Sequence, residues 1–412
     1  MGRLVLKTID SPVALRSAAP AWDDLWLRSA AGWPVLRAQS LADWLEHFVP
    51  QARFSAVTIQ DGDQLVAALP MYRGRVARLL NVGLLPGNCW TPAGDLLLDP
   101  QCGQQEVLDL LVAGLSQARW PLLCFDAVDL ATDRWKNFLA ALARARMKTV
   151  VRPRISVGAV EISHAWDEYL SNRSRNHRRD LRKSLARAEA EGPLELRVFA
   201  NLRPDEVEPL LRLGFEIENR GWKAASGTAV LAEPGVFDFY LRQAKQLAQW
   251  GHLQIVVLEH CSRPIAFEYG FSGKGTYYSL KVAYDEAWSR FSPGQLLRWK
   301  LLEAMHRDGA CRRIDFMGPL TSALSAWATG NYQLSRLIVA PRRVLSRALL
   351  TGYTHCWSPL SGLRANSRRA ATKNAAQDRT TNKSAPKAGG GPSLQPTPTR
   401  QSSSQAARGK GS

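Results

Sequence analysis

The chain has 412 residues, 45% of them hydrophobic, and 54 Lys and Arg against 36 Asp and Glu give a formal net charge of +18. That length exceeds one average domain and fits two plus a tail. The six cysteines lie scattered without a C-x-x-C, a pattern that suggests neither a disulfide framework nor a zinc site. Residues 361–412 hold ten Lys or Arg and one Asp, a net +9 that leaves +9 for residues 1–360. This last stretch is Ser, Thr, Ala, Gly and Pro with few apolar residues, so it is expected to be disordered.

The opening MGRLVLKTIDSPVAL lacks an apolar core with a small-residue cleavage site. No run approaches the ~20 apolar residues of a spanning helix. The expectation is a soluble, cytoplasmic protein with reduced thiols. Trp22, Leu25, Trp26, Trp44, Leu45 and Phe48 anchor short helices in residues 1–50. Strands are expected at 54–60, 65–71 and 76–82, the first two joined by the turn signal Asp61-Gly62-Asp63. Pro and Gly mark a loop from 86 to 94. Val107, Leu108, Leu111, Val112 and Leu115 give helical periodicity to 104–117. A strand over 121–128, a helix over 133–147 and a strand over 148–162 follow.

Residues 166–191 read as one polar helix, stopped by Gly192-Pro193. Arg175, Arg178, Arg179 and Arg182 share a face of it. Such a face is either simply solvated or docks an anionic partner. With His177 as the only ring in the run, RNA is a poor fit, because single strands are held by aromatic stacking. Helices are expected at 204–219 and 234–250, and a hairpin at 253–259 and 264–271. Tyr277–Tyr284 is a strand of alternating burial. Ser292 stands as a helix cap and Pro293 at the first helical position, with apolar spacing to Met305 and a stop at Gly309. Gly294 allows close approach of a ligand to free N–H groups at a positive dipole end, an arrangement that binds phosphate, and Arg290 precedes it. The plain alternative is an ordinary strand–helix joint. Cys311–Met317 and Leu334–Val339 complete the strands.

Strand–turn–strand then helix–strand occurs twice, at 54–128 and 253–317, with Phe125-Asp126 and Asp315-Phe316 in matching late strands. The offset of roughly 190–200 residues implies two copies of one α/β unit. Gly270–Thr276 is not a nucleotide loop, because Glu268 stands where its first Gly belongs and Gly275 follows Lys274. No histidine spacing supports a metal site. Glu268, Tyr278, Asp285 and Asp315 are the carboxylates and phenol placed for proton transfer. Glu268 and Lys281 interrupt otherwise apolar strands.

The hairpin, the Tyr-rich strand, R-F-S-P-G-Q-L-L (Arg290–Leu297) and R-I-D-F (Arg313–Phe316) together resemble the GNAT acyltransferases. More narrowly they resemble the double-GNAT enzymes of the CelD/BcsL type, related to FemAB. N-H-R-R-D-L-R-K (Asn176–Lys183), Tyr284-Asp285 and L-V-A-A-L-P (Leu65–Pro70) add to the likeness, which covers about residues 20–340. The resemblance implies an α/β fold of two tandem GNAT-like domains with mixed sheets flanked by helices: 1–155, 156–345 with the basic linking helix, and a tail at 346–412. It implies acetyl-CoA or another acyl-CoA as co-substrate, with Lys281, Arg290, Ser292, Gly294, Gln295 and Leu296 holding it. Glu268, Tyr278 and Asp285 would be catalytic, and no metal is required. The acceptor would be an amine or hydroxyl, such as a sugar or envelope precursor. The alternatives are a FemAB-like aminoacyl-tRNA-dependent transferase and a non-catalytic protein that binds an acidic polymer through the basic helix and tail.

Overall fold

Runs of β-branched and aromatic residues, broken by turn residues, set the strands, and a computed structural model describes residues 3–76, 80–118, 120–163, 165–221, 223 and 227–355. The tail from 356, and with it the expectation of disorder, lies outside the described residues. The first half holds β1 (Leu4–Ile9), β2 (Phe54–Asp61), β3 (Gln64–Val76), β4 (Leu80–Leu84), the short β5 (Leu97–Leu98), β6 (Leu123–Val128) and β7 (Lys148–Glu161). The second holds β8 (Leu194–Ala200), β9 (Leu253–His260), β10 (Arg263–Gly273), β11 (Thr276–Tyr284), β12 (Arg313–Pro319) and β13 (Gly330–Ala340). The longer helices are α1 (Pro12–Ser17), α2 (Ala19–Arg28), α3 (Ala38–Phe48), α4 (Gln104–Gln117), α5 (Asp133–Arg144), α6 (Trp166–Ser171), α7 (Arg175–Glu189), α8 (Val207–Asn219), α9 (Val236–Gln249) and α10 (Pro293–Asp308).

Among the described residues all strands join one mixed sheet in the order β1-β2-β3-β4-β6-β13-β7-β12-β11-β10-β9-β8, with β5 beside β3. Read from its two edges, the sheet shows the duplication: β1-β2-β3-β4-β6 is matched by β8-β9-β10-β11-β12. The starts of β2 and β9, Phe54 and Leu253, are 199 residues apart, and those of β6 and β12, Leu123 and Arg313, are 190 apart. The last strand of each half crosses to the other. β7 pairs with β12 (Ile314↔Val160), and β13 pairs with β6 (Leu337↔Phe125). β7 and β13 then pair with each other from Gly330↔Ala159 to Ala340↔Lys148. The 155/156 division therefore falls inside β7, whose partners both come from late in the chain.

The halves also share a core. Phe239 of α9 packs edge-on against Phe48 of α3, with ring centres 4.7 Å apart, and Trp22, Trp26, Trp44, Phe215 and Tyr269 are buried in the same cluster. The opposite face is covered by α4 and α5 through Leu111, Trp135 and Phe138, and by α10 through Trp299 and Leu302.

The single helix expected over 166–191 is two. Ser174 interrupts it by accepting the His177 N–H at 3.2 Å, which caps α7. Arg173, in the break, donates to the Ala328 carbonyl at 2.6 Å and lies over the Tyr169 ring. Tertiary contacts to the segment before β13 thus outweigh the helical preference of this polar run.

Candidate active site

In each half the fourth and fifth strands are parallel but pair only briefly. β4 and β6 meet at Gly83↔Leu123 and Leu84↔Cys124, and β11 and β12 at Thr276↔Arg313 through Tyr278↔Asp315. Beyond these pairs the strands part. Each parting is followed by a left-handed residue and a register shift, at Ala127 (φ 56°) and at Met317 (φ 52°). The main chain of β11 from Ser279 onward is thus unpaired on one edge, and it lines a cleft of about 750 Å³. Gly294, Gln295 and Arg298 of α10 line it too, as do Phe316–Pro319, Trp327 and the first-half loop Leu85–Pro92. That volume is in the range of ligand sites, roughly 300–1,000 Å³.

The start of α10 is built differently from the sequence expectation. Asp285 caps the short turn Glu286–Phe291 by accepting the Ala287 N–H at 3.0 Å. Ser292 follows in the left-handed region (φ 55°), and its side chain makes no capping bond. Its backbone does the work instead: the Ser292 carbonyl accepts the N–H groups of Gln295 at 2.9 Å and Leu296 at 3.1 Å. Ser292 gives its own N–H to Ser289, and Pro293 has none. Of this segment, Gly294 alone keeps an N–H with no acceptor among the described residues, and the residue lines the cleft. A Cβ added there would meet only the Tyr284 ring, at 3.4 Å.

Three expected residues meet on the cleft: Lys281, Gly294 and Gln295. Gln295 is fixed by the Trp327 indole N–H, which it accepts at 2.7 Å. The Lys281 ammonium is turned toward the first half, 4.7 Å from the Trp90 ring centre, and burial draws its pKa down to about 8. The other six lie elsewhere. Arg290 is exposed and pairs with Glu191 at 2.5 Å. Ser292 is exposed, and the Leu296 side chain is buried beneath the helix.

Glu268 is fully buried and paired with Arg298, itself 4% exposed, at 3.0 Å. Arg298 also donates to the Ser279 hydroxyl at 3.1 Å and lies over Phe316. Burial, with Glu268 beside it, pushes the Tyr277 phenol well above its ordinary range. Asp285 is buried in ion pairs with Arg220 at 3.0 Å and Arg263 at 3.8 Å. Tyr278 is pushed up to about 12 by burial, and its hydroxyl sits against Gly32 in a smaller cavity of about 230 Å³. Asp315 lines that cavity and accepts the Met317 N–H and the Tyr332 hydroxyl, both at 2.8 Å; burial raises its carboxyl. The two cavities share Trp33, Gly94, Ala127, Tyr332 and Leu334.

Sequence reading missed Arg298, Trp90, Trp327 and the pair Glu218–Lys223, all on the cleft. For Arg298 a signal existed: it lies four residues after Gly294, on the helix's inward side. For Trp90 none did, because nothing local tells which loop of one half reaches the other. On α7, Arg175, Arg179 and Arg182 are exposed and Arg178 is half-buried. His177 packs edge-on against Trp327, 4.5 Å between centres, which brings this helix's start beside the cleft.

Among the described residues no group of three or more His, Cys, Asp or Glu is placed to hold a metal, and no helix is long and apolar enough to cross a membrane. Residues 175–332 match the acetyltransferase (GNAT) domain family. The crystal structure of FemX is similar in fold, with a TM-score of 0.55 at 12% identity over 82% of this chain and 98% of that one. The C-terminal domain of a putative lysylphosphatidylglycerol synthetase from Agrobacterium fabrum scores 0.49 at 13% identity, covering 82% and 95%. A tandem GNAT protein from the clavulanic acid biosynthesis pathway scores 0.42 at 12% identity, covering 81% and 98%. No curated protein matches the chain by sequence. The match to the acetyltransferase (GNAT) domain family thus falls on the second half of a sheet whose two halves repeat one strand order.

Proposed function

We propose that this chain is a cytoplasmic acyl-CoA-dependent N- or O-acyltransferase of the double-GNAT, CelD/BcsL kind, acting on an amine or hydroxyl acceptor. One observation carries the reading: β11 and β12 separate after three residue pairs, and the cleft beside the unpaired strand is also lined by Gly294, whose N–H has no acceptor among the described residues, at the start of a 16-residue helix. An acyl-CoA supplies the activated thioester. Gly294 and the dipole end of α10 bind its diphosphate. The unpaired edge of β11 offers main-chain hydrogen bonds to the pantetheine arm and an N–H to polarise the thioester carbonyl. Val282 already turns its carbonyl outward from the strand, where the Lys223 ammonium meets it at 3.0 Å. The buried ion pair beneath, Glu268–Arg298, fixes α10 to β10 and keeps the helix start in place. Glu268 and Asp285 are positioning groups in this scheme, and proton transfer falls to water or to the groups around Asp315.

Calorimetry with acetyl-CoA tests this. Gly294→Trp should fill the phosphate position and weaken binding at least tenfold, whereas Arg290→Glu, on the exposed side, should weaken it far less. Binding of charged tRNA without CoA affinity would instead support an aminoacyl-tRNA-dependent transferase, with the exposed arginines of α7 beside the cleft as its contact.

A further inference from the structure

The cleft is also lined by an ammonium, that of Lys281, with no ion-pair partner among the described residues. The Lys281 ammonium lies over two rings, Trp90 at 4.7 Å and Tyr240 at 5.6 Å. Tyr240 in turn holds the Trp90 loop, donating its hydroxyl to the Trp90 carbonyl at 2.6 Å. No hydrogen bond or ion pair links Lys281 to another described residue. The charged and titratable groups facing it are Glu218, Lys223 and Cys89. Glu218 is already committed: one oxygen takes the Lys223 ammonium at 2.7 Å and the other the Val230 N–H at 2.9 Å. Lys223 is likewise held, by Glu218 and by the Val282 carbonyl. The cluster therefore has two ammonium groups and one carboxylate, and the unmatched charge is on Lys281.

An ammonium taken out of water is costly unless an anion meets it. Ring faces attract the cation but supply no counter-charge. Arg298 and Lys223 meet the carboxylates of Glu268 and Glu218, and Lys274, which has no ion pair, still gives its ammonium to the Trp26 and Ser29 carbonyls. Lys281 departs from that pattern at a position open to a ligand cleft.

We propose that Lys281 anchors an anionic group, a carboxylate or phosphate, on the acyl acceptor, with Trp90 as the flat wall beside it. This rests on the acyltransferase reading of the cleft. The donor's diphosphate has its own place at Gly294, whose neighbours are Tyr284 and α10; the neighbours of Lys281 come from the first-half loop and from α9. The acceptor class narrows accordingly to acidic amines or alcohols, such as an amino acid, a uronic acid or a sugar phosphate, and away from neutral sugars.

The test is competitive lysine labelling of the full-length protein at pH 8 with limiting acetic anhydride, read peptide by peptide by mass spectrometry. The probes are glucose, glucuronate and glucose 6-phosphate, with exposed Lys183 as internal reference. A bound anion that lifts the Lys281 pKa by about one unit slows its labelling about fivefold at this pH. Protection by glucuronate assigns a carboxylate and protection by glucose 6-phosphate a phosphate, while Lys183 is unaffected in both cases. Protection by glucose to the same extent, or by neither anion, overturns the proposal. Lys281→Met should abolish saturable binding of the protecting anion and retain acetyl-CoA binding in calorimetry. If that variant still binds the anion, the site is elsewhere and the proposal fails. Anion protection in a protein that binds no acetyl-CoA would overturn the acyltransferase reading and the acceptor assignment with it.

Discussion

Glu268→Gln separates a structural from a catalytic carboxylate. The substitution is nearly isosteric, so it leaves packing unchanged and removes one charge from a pair whose members are 0% and 4% exposed. Breaking a buried pair from one side costs about 3–5 kcal/mol, because the other charge stays behind. The Gln carbonyl still accepts one Arg298 N–H and Ser279 still accepts another, so the lower figure of about 3 kcal/mol applies. At ~2.1 cal/mol/K per residue, a folded body of about 350 residues has an unfolding entropy of ~0.7 kcal/mol/K, and the loss corresponds to a fall in Tm of about 4 °C. Removing both charges, with Glu268→Gln and Arg298→Met together, should cost less than either single change. Urea titration and scanning calorimetry measure the stability, and acetyl-CoA calorimetry shows whether α10 has moved. A Glu268→Gln protein with unchanged Tm that has lost acyl transfer would refute the reasoning and make Glu268 a proton-transfer group.

Asp285→Ala should lose about 1–2 kcal/mol through its cap and its Arg220 contact, while Asp285→Asn, which still caps, should recover most stability and all turnover per folded molecule; loss of turnover in the Asn variant would make this carboxylate catalytic. Gly214→Ala should destabilise by about 1–3 kcal/mol in urea, because its Cβ would sit 2.0 Å from the buried Phe267 ring; an unchanged midpoint would mean that α8 is seated differently. Lys281→Met should be more stable than the native protein at pH 7 by about 1–3 kcal/mol. The folded pKa of Lys281 is drawn down to about 8 from 10.5, so between those values the unfolded chain binds more protons and native stability rises with pH. The variant's advantage should shrink from pH 8 to beyond 10, and a constant advantage across urea titrations at pH 7, 8.5 and 10 would contradict this account.

The amino-acid sequence determined the local elements. The helix over Gln104–Gln117, the hairpin of β9 and β10, and α10 with its Pro start and left-handed Gly309 end all follow from signals within a few residues of each position. It also flagged Glu268 and Lys281 as charges out of place in apolar strands. It did not separate their fates, since a buried charge is defined by its partner: Arg298 comes from 30 residues away and Trp90 from the other half. The tertiary structure alone decided the exchange of β7 and β13, the break at Ser174 and the loop that closes the cleft. Strand edges choose partners by what else is left unpaired once the sheet assembles, and backbone edges look alike in any sequence. The same rule holds for the site, where one free N–H at Gly294 and one unmatched ammonium at Lys281 are defined by the bonds their neighbours have already made.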